Sequence, residues 1–412
     1  MKPADLKRIE RALVSKAGRP AAWLLREPGA IRFEYRADYQ GPAVAFSLPR
    51  DASPVRTPGG AVPAFFAGLL PEGRRLTALQ RATKTSLEDE LTLLLAVGED
   101  TPGDVQVLPV DPAEGLHPVA KAEVQETSAA LIQRFEDFDF VKLFAAATGK
   151  DLLDRAALPG AQDKLSAWIT IALPVGWEGA AWILKLDPPK YPHLVANEAC
   201  FYGAAQASGL EVAKTCIVHD RTGRPGLLVQ RFDREPHSAG LRALALEDGC
   251  QVLGRYPADK YRVSSEELLG ALSQKCAAPL VAARDLLRQF AFAYLTGNGD
   301  LHAKNLSILE RGEWRVAPAY DLPSTLPYGD LTMALPIEGR SGTDIRRKDF
   351  IALGRSAGLP DKATIRILDQ LLARFPTWLP TLDDLPFEPR IRSKLRRAIE
   401  LRAQRIRGDQ RA

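Results

Sequence analysis

Between Trp23 and Leu48 apolar and polar residues alternate in two runs, Ile31-Arg32-Phe33-Glu34-Tyr35 and Ala43-Val44-Ala45-Phe46-Ser47-Leu48, and this period of two predicts two half-buried strands. Proline and glycine between Pro54 and Pro63 interrupt the pattern, and then Ala64 to Leu70 and Leu91 to Val97 place apolar residues at helical spacing. The result is a small α+β unit that ends near Pro109. From about Val110 to Thr127 the chain carries Pro, Gly, Glu and Lys without apolar period, which marks a linker. Beyond it Leu165 to Leu173, Ala181 to Leu186, Thr215 to His219 and Gly226 to Arg231 read as strands and Ala196 to Ser208 as a helix, a mixed sheet with one helix crossing it. After Glu247 the period turns helical, with apolar residues three and four apart over Glu266 to Lys275, Leu280 to Leu295, Lys362 to Phe375 and Pro389 to Ile406.

These patterns divide the 412 residues into units at 1–110, 128–246 and 247–412, an α+β chain large enough to enclose a cleft between lobes. Hydrophobic residues make up 46% and charged residues 26%, the balance of a folded globular protein. A net charge of +4 from 55 basic and 51 acidic side chains is too small to dedicate the whole surface to nucleic acid or anionic membrane. Cys200, Cys216, Cys250 and Cys276 are far apart and lack a histidine cluster, so they predict free thiols rather than a zinc site or a disulfide framework. The charged start of the chain and the lack of a long apolar run predict a cytoplasmic protein with no membrane partner.

The most specific stretch is Gly297-Asn298-Gly299-Asp300-Leu301-His302-Ala303-Lys304-Asn305, directly after an apolar helix that Gly297 is suited to stop. An Asp followed five positions later by an Asn is the catalytic-loop spacing of protein kinases, in which the carboxylate takes the acceptor's hydroxyl proton and the Asn oxygen ligates Mg²⁺. Sixteen residues beyond Asn305, past a hairpin predicted at Leu306 to Val316, Tyr320 is followed by Asp321, a second candidate metal ligand. Lys185 ends the apolar run from Ala181, where a strand would aim it into a cleft as the cation for nucleotide phosphates, and Glu198 thirteen residues later would pair with it. Gly160-Ala161-Gln162-Asp163-Lys164 precedes a predicted strand and suits a phosphate-covering loop, although kinase loops usually show several glycines. Taken singly, each has a plainer reading: a turn-forming Asp or Asn, or a solvated lysine at a strand end. Only their ordered combination, sheet residues first and helical-lobe residues after, points to phosphoryl transfer.

At these residues the chain resembles the HipA family of bacterial serine/threonine kinases, the toxins of type II toxin–antitoxin pairs. The likeness extends to Phe66-Ala67-Gly68-Leu69-Leu70-Pro71-Glu72-Gly73, Asn197-Glu198, Gln230-Arg231-Phe232-Asp233-Arg234 and Glu247-Asp248-Gly249-Cys250-Gln251, in family order. It implies a protein-kinase-like two-lobed fold with an added N-terminal subdomain, ATP and Mg²⁺ as cofactors, and Asp300 as catalytic base. It further implies that Gly160 to Lys164, Lys185, the backbone of Gln230, Arg231 and Phe232, His302 to Asn305, Tyr320 and Asp321 surround the nucleotide. Asn305 and Asp321 would hold the metal, with Glu198 and Gln251 in support.

Family members often carry a serine ahead of the Gly-Ala-Gln loop that is phosphorylated by the enzyme itself; here the stretch is Arg155-Ala156-Ala157-Leu158-Pro159, and Ser166 is the nearest hydroxyl. The resemblance also implies a small helix-turn-helix antitoxin like HipB, contact with operator DNA mainly through that antitoxin, and a protein acceptor, an aminoacyl-tRNA synthetase being one kind of target in the family. The arginine-rich helix from Arg390 to Arg407, with Ile391, Leu395, Ile399 and Ala403 on one side, reads as a docked helix with a solvated basic face rather than a DNA contact. Two rival functions stay open: an aminoglycoside- or choline-type phosphotransferase, whose families lack the Leu-Leu-Pro-Glu-Gly segment, and a non-catalytic corepressor, which would have no need of Asp300.

Overall fold

The computed structural model of the chain describes residues 3–111, 115–116, 134–148, 171–177, 180–188, 191–238 and 240–408. The N-terminal unit is an antiparallel sheet of β1 (Arg11–Lys16), β2 (Arg19–Glu27), β3 (Ala30–Tyr35), β4 (Val55–Pro58), β5 (Val105–Asp111) and β6 (Gly115–Leu116), ordered β4-β3-β2-β1-β5-β6. Helices α1 (Ala64–Ala67), α2 (Gly73–Thr83) and α3 (Glu90–Val97) accompany it, and Leu24, Ile31, Phe33, Phe66, Leu91 and Leu94 share one buried cluster. Within this core Lys16 is buried and tied to Asp104 at 2.7 Å, the partner that makes a buried charge tolerable.

The run Ala43 to Leu48 is not a strand. It makes one isolated bridge, Ala45 to Leu48, lies between Pro42 and Pro49, and its alternation reflects a loop pressed into the core at Val44, Ala45 and Leu48. Side chains take over the bonds that a ladder would have supplied: the Val44 amide donates to the Tyr35 hydroxyl at 2.7 Å and the Phe46 amide to Glu247 at 2.9 Å. Strands β1, β2 and β4 and helix α2 went unread in the sequence.

The next unit holds α4 (Phe140–Thr148), β7 (Ile171–Trp177), β8 (Ala180–Leu186), α5 (Leu194–Ala207), β9 (Thr215–His219) and β10 (Pro225–Gln230), its sheet ordered β7-β8-β10-β9 and antiparallel throughout. The strand expected at Leu165 to Leu173 is described only from Ile171, where β7 begins and from which it runs on to Trp177. The β8 to β10 register sets Lys185 opposite Leu227, and α5 packs on β10 behind them. A hairpin, β11 (Arg234–His237) with β12 (Gly240–Ala243), leads into β13 (Leu246–Asp248), which pairs with β14 (Ser307–Arg311) and through it with β15 (Glu313–Val316).

The last unit is helical: α6 (Gly249–Val252), α7 (Ser265–Lys275), α8 (Pro279–Thr296), α9 (Arg347–Ser356), α10 (Asp361–Trp378) and α11 (Pro389–Arg407). Helix α8 is its axis. Phe290 to Thr296 are buried without a break, so its C-terminal turns are apolar all round and fixed by packing rather than by one amphipathic stripe. Helix α11 docks through Leu395, Ile399, Ala403 and Ile406, with Ile391 at the edge of the same cluster. All four cysteines are free, and among the described residues no helix is long and apolar enough to cross a membrane.

Candidate active site

Where α8 stops, the loop of interest begins. Thr296 turns its hydroxyl back to the Phe292 carbonyl at 2.9 Å, and Gly297 takes φ 70, a left-handed conformation open to glycine at little cost. The Asn298 amide then returns to the Ala293 carbonyl at 2.9 Å and closes the helix end. Asn298 is a double anchor: its Oδ1 accepts the Asp300 amide at 3.0 Å and its Nδ2 donates to the Asp321 carbonyl at 2.9 Å, binding two loops distant in sequence. The Asp300 carbonyl accepts from the His302 amide and from Asn305 Nδ2, each at 2.8 Å. With one amide hydrogen engaged there, the Asn305 side chain has no hydrogen bond on its carbonyl oxygen among the described residues.

A cleft of about 460 Å³ opens between the sheet and the helical unit, and the N-terminal unit contributes Gly68 to Glu72 and Arg75 to its wall. Lys185 Nζ, buried, contacts Glu198 Oε1 at 2.6 Å and also pairs with Asp321. Burial by itself would push the Lys185 ammonium down, but Asp321 and Glu198 hold it well above its ordinary value. Burial pushes the Glu198 carboxyl up despite that lysine. Burial likewise raises Asp300 to about 6, against the hydroxyl of Tyr261, which donates to its Oδ1 at 2.9 Å and draws it down. His302, buried and flanked by Lys260 and Lys304, is held well below its usual range and stays neutral at pH 7, with Nδ1 lacking a hydrogen bond among the described residues.

The cleft thus gathers Lys185, Glu198, Gln230, Arg231, Phe232, Gln251, His302, Lys304, Asn305, Tyr320 and Asp321 with Asp300 on its wall. Ala303 sits buried in the turn between His302 and Asn305. Gly160, Ala161, Gln162, Asp163 and Lys164, with Ser166, lie outside the described residues. Several of these side chains serve the frame. Gln251 forms a capping box with Asp248 on α6 and donates to the Phe65 carbonyl at 3.1 Å. Lys304 contacts Asp248 at 2.8 Å and the Gly68 carbonyl at 2.9 Å, and the Tyr320 hydroxyl donates to the Lys304 carbonyl at 2.7 Å. The Phe232 and Tyr320 rings meet at 5.5 Å beside the β10 exit.

Sequence reasoning missed how heavily the N-terminal unit enters this site. Arg231 spends its guanidinium on Asp233 at 2.9 Å, Asp100 at 2.8 Å and the Thr101 carbonyl at 3.0 Å, so its side chain locks the segment between the lobes to the N-terminal unit. Lys260 reaches Glu72 at 2.5 Å, and Tyr256 donates to the Val62 carbonyl at 3.1 Å. The resemblance of the Leu-Leu-Pro-Glu-Gly segment was the available signal; its partners, nearly two hundred residues away, left no local pattern. If Asn305 and Asp321 held a metal, two protein oxygens would suit magnesium, which keeps several waters and substrate oxygens rather than a full protein cage.

The family model described as the HipA-like C-terminal domain matches residues 156–379, and that of the HipA N-terminal domain matches residues 12–108. The chain belongs to the HipA family. Among HipA relatives, the "Serine/threonine-protein kinase toxin HipA" of Shewanella oneidensis is 31% identical over 355 residues, 78% of each chain. The Sinorhizobium fredii protein named "Putative kinase Y4dM" is 30% identical over 356 residues, 80% of each chain. The solved complex of Shewanella oneidensis HipA with HipB and its operator DNA superposes with a TM-score of 0.76 at 22% identity, over 96% of this chain and 97% of that one. The HipA fold, α+β and protein-kinase-like with two lobes and an N-terminal subdomain, is therefore the fold of this chain, whose relatives are named as kinases and include a toxin.

Proposed function

We propose that this chain is a serine/threonine protein kinase toxin that moves the γ-phosphate of ATP to a hydroxyl of a cellular protein. The observation that carries the reading is the meeting of Lys185, Glu198, Asp300, Asn305 and Asp321 along one cleft. Phosphoryl transfer asks a protein mainly for charge neutralisation and in-line positioning, and this set is the minimum for both. Asn305 Oδ1 and the Asp321 carboxylate would hold the metal, and magnesium would supply charge neutralisation on the phosphates. Lys185, kept cationic by Glu198, turns from Asp321 to those phosphates. The backbone of Gln230 to Phe232 meets the adenine, and Tyr320 lines the nucleotide. Asp300 accepts the proton of the acceptor hydroxyl as the hydroxyl oxygen bonds to the γ-phosphorus, the bond from that phosphorus to the β-bridging oxygen breaks and ADP leaves.

By the same reading the units at 1–110, 128–246 and 247–412 are the N-terminal subdomain and the two kinase lobes. A HipB-like antitoxin restrains the kinase and carries it to operator DNA, as the composition of the Shewanella complex supports. Brief expression of wild type and of Asp300→Ala, followed by quantitative phosphoproteomics, tests the function. New phosphoserine or phosphothreonine on one or a few proteins, with growth arrest, is expected from wild type only. Identical phosphoproteomes would contradict the reading; growth arrest kept in full by Asp300→Ala would favour a corepressor, and label confined to a small metabolite a small-molecule phosphotransferase.

A further inference from the structure

Asp300 is fixed through its backbone on both sides, by Asn298 before it and by His302 and Asn305 after it. Its side chain has a single hydrogen bond among the described residues, to the hydroxyl of Tyr261 at 2.9 Å. His302 Nε2 is 3.9 Å from the same Oδ1, beyond hydrogen-bond reach, and belongs to a neutral ring. Rotation about the terminal bond of an aspartate is soft, so one donor on Oδ1 is what decides where Oδ2 points. The Asp300 side chain is 21% exposed and lines the cleft.

Tyr261 is itself held firmly. Its ring edge packs against His302 with centroids 5.1 Å apart. The preceding Lys260 is buried, receives the Ala303 amide on its carbonyl at 3.2 Å, and extends Nζ to Glu72 Oε2 at 2.5 Å. Glu72 lies at the start of α2, so the contact chain runs from the N-terminal unit through Lys260 and Tyr261 to the one rotatable carboxylate of the loop.

We propose that Tyr261 is a positioning residue for Asp300, aiming Oδ2 at the acceptor hydroxyl, and that Glu72 of the N-terminal unit holds Tyr261 in place through Lys260. This rests on the kinase reading above. In the transfer step the acceptor oxygen bonds to the γ-phosphorus, the bond from that phosphorus to the β-bridging oxygen breaks, ADP leaves, and the hydroxyl proton moves to Asp300 Oδ2. Tyr261 keeps its own proton throughout, because burial and the adjoining Asp300 charge push its hydroxyl far up.

The test is label transfer from radiolabelled ATP with magnesium to the lysate proteins that the wild-type chain labels, beside titration with a fluorescent ATP analogue. Tyr261→Phe removes one oxygen and keeps the ring against His302; it is expected to lower the transfer rate about tenfold to a hundredfold, a fraction of what a general base supplies, with nucleotide affinity within about twofold. In an Asp300→Asn background the same change is expected to cost nothing further, which a structural role would not produce. Glu72→Gln should lower the rate in the same direction by about threefold to tenfold. An undiminished rate for Tyr261→Phe, or a full additional loss on top of Asp300→Asn, overturns the assignment while leaving the kinase reading intact. An undiminished rate for Glu72→Gln removes the part played by the N-terminal unit. Wild type that binds the analogue and labels nothing removes the kinase reading and this proposal together.

Discussion

Asp321 sits at φ 53, a left-handed conformation that costs a non-glycine residue free energy and persists only where neighbours enforce it. Here Asn298 holds its carbonyl at 2.9 Å and the Tyr202 hydroxyl receives its amide at 3.2 Å. Strain of this kind collects at sites where a side chain must be aimed, in keeping with a metal ligand. Glu247 illustrates a different cost. It is buried at the contact between the N-terminal and helical units, accepts the Phe46 amide, and has no partner for Oε2 among the described residues; burial raises it to about 7. Its folded value lies above its ordinary 4.5, so the folded state binds the proton more tightly. Stability is then full below about pH 4.5 and falls as pH rises to about 7, beyond which the penalty is constant. Glu247→Gln, neutral at every pH, should exceed wild type by on the order of 2 kcal/mol in denaturant unfolding at about pH 8, and match it near pH 4.5. A difference independent of pH would show that Glu247 is not neutralised by burial.

At the level of elements, α11 does more than cover the helical unit. Arg402 is buried, donates to the Tyr294 carbonyl at 2.6 Å and to the Leu331 carbonyl at 2.7 Å, and lies over the Tyr294 ring at 5.1 Å. Tyr294 is in the last turn of α8 and Leu331 follows the Asp321 segment, so one guanidinium ties the last helix to the end of α8 and to the stretch beyond Asp321. Arg402→Ala leaves the Leu331 carbonyl without its donor and the Tyr294 carbonyl with the Gly297 amide at 3.2 Å, and should cost about 3 kcal/mol in chemical unfolding, with a lower Tm. A loss under about 0.5 kcal/mol would mean that water replaces the clamp without penalty. Periodicity exposed α5, α7, α8, α10 and α11 and the strands that bear Lys185 and Gln230, because apolar residues recur along each. It concealed Arg402, since an arginine on a basic helix reads as solvated until the carbonyls facing it are known. It also misread Ala43 to Leu48, where alternation came from a buried loop, and it passed over β1 and β2, whose mixed burial pattern lacks a clean period of two.

Across the whole molecule, the candidate chemistry was legible as ordered motifs, while their dependence on the N-terminal unit was not. Asp100 and Thr101 grip Arg231, Gly103 donates to Asp233 at 2.9 Å, Gly68 receives Lys304, and Glu72 receives Lys260. Buried ion pairs of this sort add little net stability but are costly to break, which suits fixing one relative placement of three units around a cleft. The central claim is that this cleft holds a magnesium-bound nucleoside triphosphate. The measurement that tests it most directly is calorimetric titration of the purified chain with a non-hydrolysable ATP analogue, with and without magnesium, for wild type and Asp321→Asn. The account predicts saturable binding by wild type that strengthens with magnesium and a loss of about tenfold or more in Asp321→Asn, most of it in the magnesium-dependent part. Binding that ignores both magnesium and Asp321, or no binding by a folded wild-type chain, would contradict it.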